Sequence, residues 1–147
     1  MLHIVKPAAP ELIGFLLIPN FSMMAFTASI EPLRSANRMS GHQLYDWHVV
    51  TKDGKPVNAS NGLATMATTS IANAGHFPTL IVCAGLEVQR FRDKEVFSWL
   101  RRQARGGTRV GAVCTGSHIL ARAGLLENHR CTIHWENLPG FTEEFPD

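Results

Sequence analysis

Cysteine is scarce in this 147-residue chain, with three residues, and there is a single tyrosine. Cys83, Cys114 and Cys131 are an odd number, which excludes a closed disulfide framework and points to a reducing, cytoplasmic setting. A dominant charge is also missing. Fourteen Lys and Arg face twelve Asp and Glu, for a formal net charge of +2, short of the basic footprint of a nucleic-acid-binding domain. No run is long and apolar enough for a membrane span: Leu12–Ile30 comes nearest, but Pro19 splits it and Asn20, Ser22, Thr27 and Ser29 interrupt it. The first ten residues, MLHIVKPAAP, carry no apolar core of a secretory leader. No internal repeat or low-complexity tract is present.

What remains is ordinary globular composition, 45% hydrophobic and 18% charged, in a length that suits one domain. Residues 1–10 read as a leader and residues 11–147 as the domain. Apolar runs at Glu11–Ile18, Tyr45–Thr51, Thr79–Ala84 and Thr108–Val113 predict strands, and Arg130–Ile133 predicts a short fifth one. Ser22 and Asp93 are N-cap candidates. They open predicted helices ending at Gly41 and at Gly106-Gly107, the first with Pro32 inside it as an expected kink or break. Further helices are predicted at Thr115–Ala123 and Glu136–Phe145, and a helical turn at Ile71–Ala74. Asp53-Gly54 marks a turn, and Asn61-Gly62 a hairpin between two short strands. Strands that alternate with helices and read as continuous apolar runs predict an α/β fold: a mostly parallel sheet covered on both faces.

The motif with chemical content is Gly111-Ala112-Val113-Cys114-Thr115-Gly116. A buried strand runs directly into a helix, with Cys114 at the corner between small neighbours. That is what a sharp turn holding one side chain up and out requires. Ligands of open parallel sheets collect at the carboxyl ends of strands, and a thiol at a helix N-terminus is drawn toward thiolate. A buried, inert Cys114 is the plainer alternative. Twenty residues on, Cys131-Thr132-Ile133-His134-Trp135-Glu136 ends a predicted strand at a His. The topology allows a Cys114–His134 pair, and Trp135 beside Glu136 suits an ammonium group. Cys131-x-x-His134 is rejected as a zinc site, because strand alternation would point the two to opposite faces and no second ligand pair exists. Arg101, Arg102, Arg105 and Arg109 read as a solvated face, and no glycine fingerprint for phosphate is present. Neither a metal nor a cofactor is expected.

These motifs, in this order, resemble the DJ-1/PfpI superfamily of class I glutamine-amidotransferase-like domains. PNFSMMAFTASIEPLRSANRMSG, LYDWHVVTKDGKPVNASNGL, TLIVCAGL and AVCTGSHILARAGLLENHRCTIHWE together resemble the N-terminal domain of AraC-family transcriptional regulators of the GlxA type. The resemblance runs from about Leu12 to Pro146. It implies a flavodoxin-like three-layer sandwich, a homodimer, and a sensor for a small nitrogen-rich metabolite such as arginine, carnitine or glycine betaine. It implies ligand contacts at Cys114, Thr115, His134, Trp135 and Glu136. It also implies that DNA is bound only through a C-terminal helix-turn-helix domain absent from these residues, and that the sensing domain itself continues past Asp147. Enzymes of the superfamily pair the cysteine with an acid from the first helix region. The matching position here is Ala25, with Glu31 further along, and the downstream His-x-Glu of true glutamine amidotransferases is missing. The alternative reading is an enzyme, a hydrolase, hydratase or glyoxalase, with Cys114 as nucleophile and His134 as helper.

Overall fold

A computed structural model describes residues 9–146; the leader lies mostly outside the described residues. Seven strands and four helices follow one another: β1 (Glu11–Leu17), α1 (Met23–Ser40), β2 (Tyr45–Thr51), β3 (Val57–Asn58), β4 (Ala64–Thr65), β5 (Thr69–Ser70), β6 (Thr79–Ala84), α2 (Lys94–Arg105), β7 (Arg109–Cys114), α3 (Gly116–Arg122) and α4 (Leu138–Glu144). Five strands form one sheet in the order β5-β2-β1-β6-β7, and every pairing in it is parallel. Strands β3 and β4 form a separate antiparallel hairpin around Asn61-Gly62.

The strands read as unbroken apolar runs because both faces of the sheet are covered. On one face Leu16, Val50, Leu80 and Val82 pack with Val96, Leu100, Ile119 and Leu120 of α2 and α3. On the other, Phe15, Leu17 and Cys83 pack with Phe26 of α1 and with Phe21. Alternate residues of one strand thus feed opposite cores. Phe15, Leu16 and Leu80 are fully buried, and such side chains each contribute about 1.5–3 kcal/mol.

Side chains fix how the helices enter and leave. Ser22 Oγ accepts from the Ala25 amide at 3.2 Å, and Asp93 accepts from the amides of Glu95 and Val96, so both predicted N-caps form. Asn37 ties the end of α1 to the start of β2, accepting from the Leu44 and Tyr45 amides and donating to the Tyr45 carbonyl. Buried Gln103 accepts from the Phe77 amide and donates to the Gly75 carbonyl, which anchors α2 to the turn before β6.

Three expectations are corrected. Pro32 does not break α1, which runs unbroken from Met23 to Ser40. Pro32 and Ala28 lie on the exposed face, so the carbonyl that loses its partner there faces water. The strand at Arg130–Ile133 does not form: this stretch is irregular and mostly exposed, and β7 pairs only with β6 among the described residues. The argument that strand alternation separates Cys131 from His134 therefore loses its premise. Finally, the last helix is shorter than expected, a 3-10 turn at Trp135–Asn137 followed by α4. Pro139 sits in the first turn of α4, where its missing N–H costs nothing. The short edge strand β5 has no sequence signal beyond two polar residues.

Candidate functional site

The carboxyl ends of β1, β6 and β7 are stitched into one rim. The Ser22 amide donates to the Ala84 carbonyl and the Leu86 amide to the Asn20 carbonyl. Thr115 Oγ1 donates to the Gly85 carbonyl at 2.7 Å. Two glycines make this close approach possible. A Cβ on Gly85 would lie 2.2 Å from the Asn20 oxygen, and one on Gly116 would lie 2.3 Å from the Val82 oxygen.

Cys114 is the last residue of β7 and has φ +57°. That left-handed conformation is rare for a residue with a Cβ, and such strain gathers at functional corners. It is the backbone geometry of a strand-to-helix elbow, as the small flanking residues predict. Thr115 follows, 2% exposed, and its hydroxyl is already used within the fold.

The segment carrying His134, Trp135 and Glu136 lies across this corner. The His134 amide donates to the Cys114 carbonyl at 3.3 Å, and Ser117 Oγ donates to the Thr132 carbonyl. The His134 and Trp135 rings stack with centroids 5.8 Å apart. His134 Nδ1 is 3.8 Å from a Glu136 oxygen. Trp135 is 75% exposed, so its π face is open to a ligand.

The structure thus brings Cys114, His134 and Glu136 into one neighbourhood, but not as a nucleophile and base. Among the described residues no hydrogen bond joins the Cys114 thiol to the His134 ring. The expected pull toward thiolate is also reversed. Burial pushes the Cys114 thiol above its ordinary range, the Thr115 amide partly opposes it, and the Glu136 charge adds a smaller push upward. Ala25, the position expected to match the superfamily's acid, lies in the first turn of α1, where its methyl group offers no hydrogen bond. Glu31 does not substitute for it. Its carboxylate is half exposed and accepts from Arg34 at 2.7 Å.

The DJ-1/PfpI family pattern matches residues 13–142. The chain belongs to the DJ-1/PfpI family. Its relatives within and around that family are mostly regulators. It is 47% identical over 137 residues to the HTH-type transcriptional regulator GbdR of Pseudomonas aeruginosa, covering 93% of this chain and 37% of GbdR. It is 39% identical over 135 residues to the HTH-type transcriptional regulator GlxA of Rhizobium meliloti, covering 91% of this chain and 42% of GlxA. Among solved structures, an AraC family transcriptional regulator from Pseudomonas putida superimposes with a TM-score of 0.82 at 30% identity, covering 93% of this chain and 74% of that one. An enzyme is also similar: isonitrile hydratase of Pseudomonas putida, 34% identical over 124 residues, covering 84% of this chain and 52% of the enzyme. The chain therefore spans about two fifths of the length of the curated regulators it matches.

Sequence reasoning missed two features around this corner of the DJ-1/PfpI fold. One is the loop after β6, where Glu87 has φ +58° and Leu86 is 62% exposed. Gly85 was its only sequence signal. The other is the group that holds α4 in place. Arg122, with its side chain only 8% exposed, donates to Glu144 and to the Val88 and Phe91 carbonyls. His118 lies beside them between Phe141 and Phe145.

Proposed function

We propose that this chain is the effector-binding part of a bacterial AraC-family transcriptional regulator. It takes a small amino-acid-like or quaternary-ammonium metabolite at the Cys114 corner. The exposed Trp135 ring offers a π face to the cationic group, and the Glu136 carboxylate offers the counter-charge, with Cys114, Thr115 and His134 forming the floor and wall. Binding shifts the population of an arrangement that positions a separate DNA-binding domain. In this reading the protein acts as a homodimer in the cytoplasm, and DNA is reached only through that other domain.

The proposal rests on Ala25, the position that the resemblance matches to the acid partnering the cysteine in enzymes of the superfamily. With it goes a Cys114 thiol pushed above its ordinary range, chiefly by burial. Both features suit a binding corner and oppose nucleophilic attack. The regulator names of the relatives point the same way.

The elbow geometry of Cys114 and the similarity to isonitrile hydratase favour a second reading, hydration or hydrolysis with Cys114 as nucleophile. One set of measurements separates the two. The chain is titrated with glycine betaine, carnitine and arginine while its melting temperature is followed. The sensor reading expects saturable stabilisation by one of them, retained in Cys114→Ala and lost in Trp135→Ala. Turnover of an isonitrile that disappears in Cys114→Ala would overturn it.

A further inference from the structure

A cavity of about 340 Å³ opens at the carboxyl ends of β1 and β2, and Cys114, His134, Trp135 and Glu136 take no part in lining it. Its volume falls at the lower end of the roughly 300–1,000 Å³ typical of small-molecule clefts. Its floor is apolar, made by Leu16, Ile18, Phe91 and Val96. Leu16, Ile18 and Val96 belong to the core under α2 and α3, so this floor is fixed by the fold.

Two lysines and two aspartates stand around that floor: Lys52, Asp53, Lys55 and Asp93. The acids are committed to the backbone. Asp93 caps α2 through the Glu95 and Val96 amides at 3.0 and 3.2 Å. Asp53 accepts from the Lys55 amide at 3.1 Å. The turn carrying Lys52, Asp53 and Lys55 is itself held, with Thr51 Oγ1 donating to the Lys55 carbonyl and Gly54 at φ +77°.

The lysines are freer. Lys55 Nζ is 3.6 Å from Asp53, on a side chain 80% exposed. Lys52 Nζ is 2.5 Å from Asp93 and 3.5 Å from Glu95, on a side chain 49% exposed. Each ammonium carries three donors and no acceptor, so each has capacity for another acceptor. The surroundings favour the charged forms of Lys52, Asp53 and Asp93. The hydrogen bond to Asp93 raises the Lys52 ammonium, and the backbone bond from Lys55 lowers the Asp53 carboxyl. Burial pushes Asp93 up, but the Lys52 bond and the two capping amides together leave it lowered.

We infer that this cavity binds a small monocarboxylate with an apolar body, its carboxylate ion-paired with Lys52 and Lys55 and its hydrocarbon on the Leu16–Val96 floor. A second negative charge on the ligand would meet Asp53 and Asp93. An amine in place of the carboxylate would face the two lysines. The Cys114 corner is proposed to take a cationic group, which hexanoate lacks, so hexanoate and Trp135→Ala separate the two sites, and neither proposal depends on the other.

Hexanoate is the probe. It is titrated into the 147-residue chain while melting temperature and amide NMR shifts are followed. The expected result is saturable stabilisation, with shifts confined to residues 16–19, 51–57 and 91–96. Hexylamine and 1-hexanol produce neither effect. Lys52→Gln and Lys55→Gln each weaken hexanoate about twofold to fivefold, the loss expected for one solvent-screened ion pair. Lys55→Gln is the safer variant for folding, because its side chain is mostly in water. Trp135→Ala leaves hexanoate affinity unchanged. Equal binding of hexanol, shifts centred elsewhere, or no saturation at roughly 20 mM hexanoate would overturn the inference, and none of these results touches the reading of the Cys114 corner.

Discussion

Arg122 grips Glu144 with both arms of its guanidinium. Nε and Nη2 lie 2.8 and 2.7 Å from one carboxylate oxygen, and Nη2 lies 2.8 Å from the other. The same guanidinium donates to the Phe91 carbonyl at 2.9 Å. One nearly buried charge therefore joins α3, α4 and the loop after β6. Beyond Gly124 the chain makes no strand until it reaches α4, and the segment with His134, Trp135 and Glu136 hangs between these fixed points.

Glu144→Ala removes the anchor of α4 and leaves Arg122 with neutral acceptors only. Breaking a buried pair costs about 3–5 kcal/mol, but Glu144 is 38% exposed, so solvent screening reduces the loss to about 1–2 kcal/mol. Urea denaturation checks this value. Hydrogen exchange checks its location: residues 130–146 exchange faster, while the amides of β1 and β6 keep their protection. Uniform loss of protection would mean that α4 is an integral part of the core.

Cys131, Cys114 and Cys83 should react with iodoacetamide in that order. Cys131 is exposed, Cys114 half-buried and Cys83 buried. The Cys114 thiol is raised, and burial pushes Cys83 up to about 12. The thiolate is the reacting form, so Cys114 stays slow at neutral pH and accelerates only in alkaline solution. Glu136→Gln removes a negative charge that opposes ionisation and speeds Cys114 slightly at fixed pH. Mass spectrometry of the alkylated peptides reads each site separately. A fast Cys114 at pH 7 would revive the enzyme reading.

Much of the fold is legible in the sequence because its signals are local. Thr79–Ala84 is apolar throughout because both faces of β6 are covered, and Ser22 and Asp93 cap where an oxygen precedes a helical pattern. The elbow at Cys114 is legible too, since Gly116 stands where a side chain would strike the backbone of β6. What fails is set at long range. Arg130–Ile133 has strand-like residues, yet no neighbouring strand holds it, and a strand exists only by its pairing. The ionisation of Cys114 follows chiefly from burial, with a smaller push from Glu136, twenty-two positions later, which a helix-dipole argument cannot see. Arg122 and Glu144 are likewise the same number of positions apart, and nothing in either neighbourhood marks them as partners.

Gly116 and Gly111 should differ sharply when given a methyl group. At Gly116 the new Cβ would lie 2.3 Å from a backbone oxygen of β6 and 3.1 Å from Ala112 Cβ. Backbone cannot yield as a side-chain tip can, so Gly116→Ala costs about 3 kcal/mol or more and disturbs the Cys114 corner. At Gly111 nothing lies within 4 Å and φ is not positive. Gly111→Ala is neutral or stabilising by up to about 1 kcal/mol, through the unfolded chain. Equilibrium denaturation of the two variants side by side measures the contrast. Equal stabilities would mean that the close approach of α3 to β6 is looser than these distances.

His118 should make the fold acid-sensitive. It is 3% exposed, with Nε2 3.2 Å from a Glu144 oxygen. Burial lowers its ionisation, Glu144 raises it in partial compensation, and Arg92 adds a further lowering. Arg122, on the same helix, holds Glu144 as well. The net shift is downward, so as pH falls the unfolded chain takes up its proton first, near pH 6.5. Stability therefore begins to fall below about pH 6.5 and keeps falling until the folded histidine also protonates. Glu144→Gln removes the compensating charge, which lowers the folded value further and widens the range of pH over which stability is lost. His118→Gln removes the titration and flattens the profile between pH 5 and 6.5. Urea midpoints measured across this range distinguish the three proteins. A wild-type profile as flat as that of His118→Gln would mean that the imidazole meets water or the Glu144 charge more fully than its burial implies.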